Sequence, residues 1–373
     1  MSLPPLYQPW IDEVLGGSLP EERHATCSTC AMCEPHAVNA TTASMTRFDP
    51  ATKCCTYTPG LPNFLVGLIL ADDEPGAAKG RESVRRRIAE DKGVTPLGLQ
   101  TPIQNAVVYK YTAGELFGRH SALRCPHYLA EDGGKCGIWR HRNSICATWF
   151  CKHEQGASGQ ALWRALAELL GAVERQLALW CAVELGHGLD TLGPSLLPYY
   201  QLMTRLPPSG KPAHAWTEEW RGRIEEFYVA AGRLVDPMRW TQVMEICGPT
   251  LGLEVKSARR ALATLHQEEL PQRLRYNAIS VLPMESGEVC VAGYSEHDMV
   301  RLAAGLVEEL GRFDGRESWD DTAAAVGEAT GITLDGPAIR RLLEYRVLVP
   351  LGHTAPAVVP GGSPDTLEAP HGR

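Results

Sequence analysis

The 373-residue chain contains no stretch approaching the roughly 18 uninterrupted apolar residues of a membrane span, so no membrane-spanning helix is expected. Its opening, MSLPPLYQPWIDEVLGGSLPEE, lacks the basic-then-apolar layout of a secretory leader, and a cytoplasmic location is expected. Positive charge is not in excess: 36 Lys and Arg stand against 44 Asp and Glu, a net charge of −8 that argues against a general nucleic-acid binder. Phe is scarce, six residues against nine Trp. Also missing are G-x-G-x-x-G, G-x4-G-K-[ST], H-E-x-x-H, G-x-S-x-G and the radical-SAM spacing C-x3-C-x2-C. No catalytic residue and no organic-cofactor site can be named from such motifs, and any catalysis would have to run at a metal with an open ligand position.

What is abundant is cysteine. Of 12 cysteines, nine fall between positions 27 and 151. They read Cys27-x2-Cys30-x2-Cys33, then Cys54-Cys55, then Cys125, Cys136, Cys146 and Cys151. A C-x2-C turn aims two thiolates at one point about 3.5–4 Å apart, a bite suited to one metal or one cluster edge. A disulfide framework would need an oxidising compartment, and a chain this long needs no stapling. Cys181, Cys247 and Cys290 stand alone in apolar contexts and read as buried inert thiols. All nine clustered cysteines are therefore expected to be metal ligands. His24 and His36 extend the three-residue step, but they, like His127, His141 and His153, read as solvated or satisfied in the core.

Composition divides the chain in four. Residues 1–155 are rich in Cys, Pro and Gly, with no long periodic helix, and look like a loop-rich metal-binding domain. Within them, 63–70 is a short buried strand or helix, 82–90 a short charged helix, and 107–111 has strand chemistry. Residues 156–270 are helical: Leu162, Leu166, Leu169, Val173, Leu177 and Trp180 share one face of a helix stopping near Gly186. A Pro- and Gly-rich break at 188–212 precedes further helices around 216–234 and 257–270, with Trp216, Trp220, Phe227 and Tyr228 as core anchors. Residues 271–352 open with a hairpin, 278–282 against 288–291. Three helix starts follow, marked by the capping-box pairs Ser295/Asp298 and Ser318/Asp321 and by Asp335 before Pro337. Leu302, Leu306 and Leu310 supply the apolar face of the first. Residues 353–373 form a Pro/Gly-rich tail expected to be disordered. The fold class expected is α+β.

The segment from Cys125 to Cys151 resembles the second half of the YkgJ-like cysteine-cluster family, described as zinc- or iron-chelating proteins. Cys125, Leu129, Gly134, Cys136, Ile138, Arg142, Cys146 and Cys151 match its pattern, with Trp139 and Asn143 in place of the usual Tyr and Pro. The N-terminal signature departs from it: Cys33 stands alone and the adjacent pair comes at Cys54-Cys55. The resemblance implies metal binding over the first 155 residues and is silent about chemistry.

Four thiolates around Zn(II), or around an oxidised 4Fe–4S cluster, both leave a net charge of about −2, so charge does not choose the metal. Lys53, Arg124, Lys135, Arg140, Arg142 and Lys152 lie beside the ligands in sequence and could donate hydrogen bonds to sulfur. Nine cysteines would make two four-ligand sites with one to spare; one grouping puts three or four of Cys27, Cys30, Cys33, Cys54 and Cys55 at one site and Cys125, Cys136, Cys146 and Cys151 at the other, and mixing between the halves is equally open. An iron–sulfur cluster is favoured slightly over zinc.

The C-terminal unit is weakly similar to PqqD-like winged-helix domains, through Asp314-Gly315 and the short apolar ending at Val347–Val349. That similarity implies recognition of a protein or peptide. Arg340, Arg341 and Arg346, in or beside a helix at 336–345, are the only basic patch offered to DNA. Three readings follow: a metalloprotein with redox or peptide-modifying chemistry, a non-enzymatic zinc-stapled interaction protein, and a metal- or redox-responsive DNA-binding regulator.

Overall fold

The computed structural model describes residues 3–352 except 24–25, 34–46, 132, 190–191, 193–215, 268 and 285. His24, His36, most of the Pro/Gly-rich break and the tail at 353–373 lie outside the described residues. The fold is α+β, with helices supplying the core and only small antiparallel sheets. Among the described residues no helix is long and apolar enough to cross a membrane.

Helix α1 (Tyr7–Leu15) buries Tyr7, Trp10, Ile11 and Val14, a one-face pattern at steps of three and four, and ends on Gly16 at φ 66°. Helix α2 (Asn63–Ala71) resolves the ambiguous apolar run at 63–70 as helix. It follows strand β1 (Leu61–Pro62) directly, and Asn63 starts it by bonding backbone carbonyls of Pro96 and Ala178. Helix α3 (Ala78–Ala89) begins before the charged segment expected at 82–90. Strands β2 (Val94–Thr95) and β3 (Gly98–Leu99) complete a three-stranded sheet with β1. Residues 107–111 are not a strand: they lie within α4 (Ile103–Leu116), which starts after Pro102. β-Propensity describes fit to a pleated, half-buried surface, and among the described residues no strand pairs with this segment.

A two-stranded hairpin, β4 (Tyr128–Leu129) with β5 (Lys135–Cys136), precedes the short helix α5 (Ser144–Thr148). Then comes α6 (Gly156–Glu184), the long helix read from its leucines, with all the expected leucines buried. Helices α7 (Ile224–Val235), α8 (Trp240–Cys247) and α9 (Gly252–Leu265) pack around it, α8 being an element the periodicity did not suggest. Trp216, Trp220, Phe227 and Tyr228 stack edge-on against one another, as core anchors should. Helices α2 and α7 cross at backbone contact: a Cβ on Gly67 would overlap the Tyr228 carbonyl, and Gly232 faces Gly67. One apolar core joins α1 and α2 to α6, α8 and α9, so it runs across the compositional boundary at residue 155.

The C-terminal unit has its own core, centred on Leu310, Val326, Ile339, Val347 and Leu348. Strand β6 (Leu274–Tyr276) pairs with β10 (Leu348–Pro350), and β7 (Ser280–Pro283), β8 (Glu288–Ala292) and β9 (Val300–Ala303) form an antiparallel meander. Helices α10 (Ala304–Glu309), α11 (Trp319–Thr330) and α12 (Gly336–Glu344) complete it. Ser318 and Asp335 cap α11 and α12 as expected, accepting from Asp321 N at 3.3 Å and Ala338 N at 2.9 Å. The first cap does not form. Residues 300–303 are strand, and Asp298 points inward to other partners, so the helix bearing Leu306 starts only at Ala304.

Candidate metal centre

Three separate segments carry the nine cysteines, and ordinary backbone chemistry brings them together. The first arc turns on itself through Cys33 N to Cys30 O at 3.0 Å. Cys54 and Cys55 follow a tight turn in which Asp49 O accepts from Thr52 N and Lys53 N, leaving Lys53 at φ 51°. Lys53 Nζ donates to the Cys27 carbonyl and, at 2.8 Å, to the Gly134 carbonyl, so one side chain ties the arc, the pair and the β4–β5 hairpin together. Cys125 N donates to Cys55 O at 2.8 Å, and the hairpin sets Cys136 opposite Tyr128. Asn143 caps α5 by accepting from Cys146 N at 3.1 Å, which fixes Cys146 in the first turn. Helix α5 is in turn anchored from behind: the buried Glu174 carboxylate accepts from Ser144 N, Ser144 Oγ at 2.8 Å and Tyr7 OH.

Eight of the nine cysteines, Cys27, Cys30, Cys54, Cys55, Cys125, Cys136, Cys146 and Cys151, line one cavity of about 130 Å³. Cys33 does not reach the lining; it is buried against Cys30, with Met32 and Phe48. Burial pushes most of the thiols toward their neutral form, Cys27 up to about 11 and Cys125 and Cys136 up to about 12. Cys30 moves the other way, to about 7, because the Cys33 thiol donates to it.

Cations face these thiols. Lys53, Arg87 and Arg142 are each 4% exposed or less. Arg142 bonds the Trp139 and Cys146 carbonyls at 3.1 and 3.2 Å and lies 3.5 Å over the Trp139 ring. Arg87 reaches Gln100 O at 2.8 Å and His127 Nε2 at 3.2 Å, while its Nε has no partner. Among the described residues none of the three has a carboxylate partner. A buried cation calls for a buried anion, and here the groups able to supply it are the thiols. Lys152 is also buried at the cavity, with Asp298 the first of its charged neighbours.

The donor set is all sulfur, which suits zinc or an iron–sulfur cluster and disfavours hard cations. Among the described residues no group of three or more His, Cys, Asp or Glu side chains is arranged to hold a single metal ion. The cavity is about ten times the ~10–15 Å³ that one water needs.

Of the six basic residues expected beside sulfur, Lys53, Arg142 and Lys152 line the cavity. Arg140 instead turns to Asp72 and Glu74, Arg124 lies 5.9 Å from the Tyr128 ring centre, and Lys135 is exposed on β5. His127 is engaged with Ser83 and Arg87, and His141 with Asp72 at 2.9 Å, which accords with core roles. Cys181, Cys247 and Cys290 are buried away from the site. Arg87 was not singled out from sequence, although helical phase carries the signal: Gly80, Ser83, Val84 and Arg87 form the buried face of α3. No family model, curated protein or solved structure matches the chain.

Proposed function

We propose that this chain is a metalloprotein whose first 155 residues hold cysteine-ligated iron–sulfur chemistry, with the C-terminal unit recruiting a protein or peptide partner. The observation that carries this reading is the cavity lined by eight thiols and by two buried cations, Lys53 and Arg142, that have no carboxylate partner among the described residues. A bound cluster would supply one-electron redox capacity or an open iron as a Lewis acid. The chain's own contribution is to hold the thiolates, to offset their charge with Lys53, Arg87 and Arg142, and to wall them off from water with Trp139, Trp149, Phe117 and Phe150.

A second reading, a zinc-stapled interaction protein without activity, is favoured by one observation. Strands β1 to β5 are two residues each, so the region around the cysteines has little sheet of its own and a metal would replace it. Of the three arginines a DNA-binding reading would use, Arg341 donates to Glu154 O and Arg340 to Gln267 O, both at 2.8 Å, so each has one donor committed within the chain.

Metal, sulfide and absorption measured on protein purified without oxygen separate the first two readings. Brown protein with a broad band near 400 nm and acid-labile sulfide is expected. Colourless protein with stoichiometric zinc would overturn the iron–sulfur reading.

A further inference from the structure

We infer that the cysteines form two four-thiolate centres side by side at one cavity, with the adjacent residues Cys54 and Cys55 divided between them. Cys30, Cys33, Cys54 and Cys151 make the first; Cys55, Cys125, Cys136 and Cys146 make the second. This rests on the metal-centre reading above and adds the number of centres and the ligands of each.

The first set is gathered by apolar contacts around Cys33, which lies just behind the cavity lining with its thiol bonded to that of Cys30. Met32, Cys33 and Phe48 form a small buried cluster, and Cys30, Cys54, Cys151 and Phe117 pack against it. The four cysteines come from three segments: the first arc, the pair, and the chain just beyond α5. Phe48 and Phe117 meet edge-on at 5.4 Å, and Phe117 meets Trp149 at 6.1 Å, so this end of the site has an aromatic wall of its own.

The second set is gathered by backbone hydrogen bonds. Cys55 O accepts from Cys125 N, Tyr128 N returns to Cys125 O at 3.0 Å, and Gly137 N bonds His127 O at 2.8 Å. These bonds place Cys55, Cys125 and Cys136 on one side of the β4–β5 hairpin, and the Asn143 cap brings in Cys146. None of the second set belongs to the cluster around Cys33.

The cations divide in the same way. Lys152 follows Cys151 directly and belongs to the first set. Arg142, bonded to the Cys146 carbonyl, and Arg87, held beside Cys125 by way of His127, belong to the second. Lys53 sits between the sets, immediately before the divided pair and bonded to both the Cys27 and Gly134 carbonyls. Cys27 occupies the same boundary and is left over. The halves of the cysteine sequence are therefore mixed: Cys151 joins the early arc, and Cys55 joins the late cysteines.

The test is iron and acid-labile sulfide per chain, on full-length protein purified without oxygen. Wild type is expected to hold roughly eight irons, four per cluster. Cys33→Ala and Cys151→Ala should each lose about half, and Cys33→Ala/Cys151→Ala no more than either alone. Cys125→Ala and Cys146→Ala should each lose the other half, and Cys33→Ala/Cys125→Ala nearly all. Cys27→Ala should retain wild-type content. Because a variant can fail to fold, electron paramagnetic resonance of reduced wild type is read alongside; about two spins per chain are expected. One spin per chain, or complete loss from any single variant that keeps the wild-type circular dichroism spectrum, overturns the proposal. If the metal is zinc, two ions per chain with one lost in each variant upholds the partition and sinks only the iron–sulfur reading.

Discussion

On the proposed metal-centre reading, replacing Arg87 with Met should act on the metal-loaded protein far more than on the metal-free protein. Arg87 is 2% exposed, and burial pushes its guanidinium down to about 10, with the Cys125 thiolate the first group working against that fall. At about 1.4 kcal/mol per tenfold change, that burial corresponds to roughly 3 kcal/mol against the charged form. In the metal-free protein the Cys125 thiol, pushed up to about 12, is protonated at neutral pH and does not offset the cation. Arg87→Met then relieves the burial cost but leaves the Gln100 carbonyl without its donor at about 1–3 kcal/mol, so the two effects nearly cancel. In the loaded protein Cys125 is a thiolate, and the substitution removes its compensating charge, a loss of several kcal/mol. The assay is thermal unfolding of wild type and Arg87→Met, each as purified without oxygen and after chelation. The gap in melting temperature between loaded and metal-free protein should narrow by several degrees in the variant. An unchanged gap would refute the claim that Arg87 balances thiolate charge.

Three further outcomes are expected. Gly67→Ala places a methyl group on the Tyr228 backbone carbonyl where α2 crosses α7, and should destabilise the protein by at least about 3 kcal/mol in chemical denaturation; a change below about 1 kcal/mol would mean that the crossing relaxes freely. Glu22 is buried, accepts from Glu154 N and Trp163 Nε1, and is raised to about 7, chiefly by burial. Its folded value lies above its unfolded value, so it contributes stability at low pH that is lost as pH rises from about 4.5 through about 7, up to roughly 3 kcal/mol; Glu22→Gln should flatten that part of the stability–pH curve, and an unaltered slope would count against it. Asp298 is 1% exposed and accepts from His153 N at 3.1 Å and from Tyr294 OH. Asp298→Asn should lower stability by about 2 kcal/mol and speed amide exchange at residues 151–154, whereas unchanged exchange there would show that the contact does not hold the segment.

Legibility in the sequence followed the reach of the signal. Helix α6 was readable because its apolar face repeats over many turns, and the starts of α11 and α12 because Ser318 and Asp335 cap within three residues. The Ser295/Asp298 pair has the same spacing and misleads, because Asp298 is claimed by His153 and Tyr294, one of them 145 residues away. Val107 and Tyr109 misled likewise: their strand preference is a preference for a surface this fold does not offer at α4. The cysteines could be singled out as a group by spacing, but not sorted into partners. Cys151 packs, like Cys30 and Cys54, against the cluster of Met32, Cys33 and Phe48 from about a hundred residues away, through contacts that no local pattern encodes. Arg87 was hidden among three consecutive arginines, and only the phase of α3 separates it from its exposed neighbours.

The C-terminal unit is fastened to the segment that carries the last cysteine. Just beyond α5, the segment Cys151 to Glu154 receives Asp298 on the His153 amide, Tyr345 OH on the His153 carbonyl at 3.0 Å, and Arg341 on the Glu154 carbonyl at 2.8 Å. His297 from the same unit lies against the Phe48 ring at 5.8 Å, on the wall of the first cysteine set. Lys152 and His153 are both buried, one facing the cavity and the other bonded to the C-terminal unit, while Phe150 just before them stacks on Trp163 of α6 at 4.8 Å, so the segment of the last cysteine is held between the C-terminal unit and the helical core.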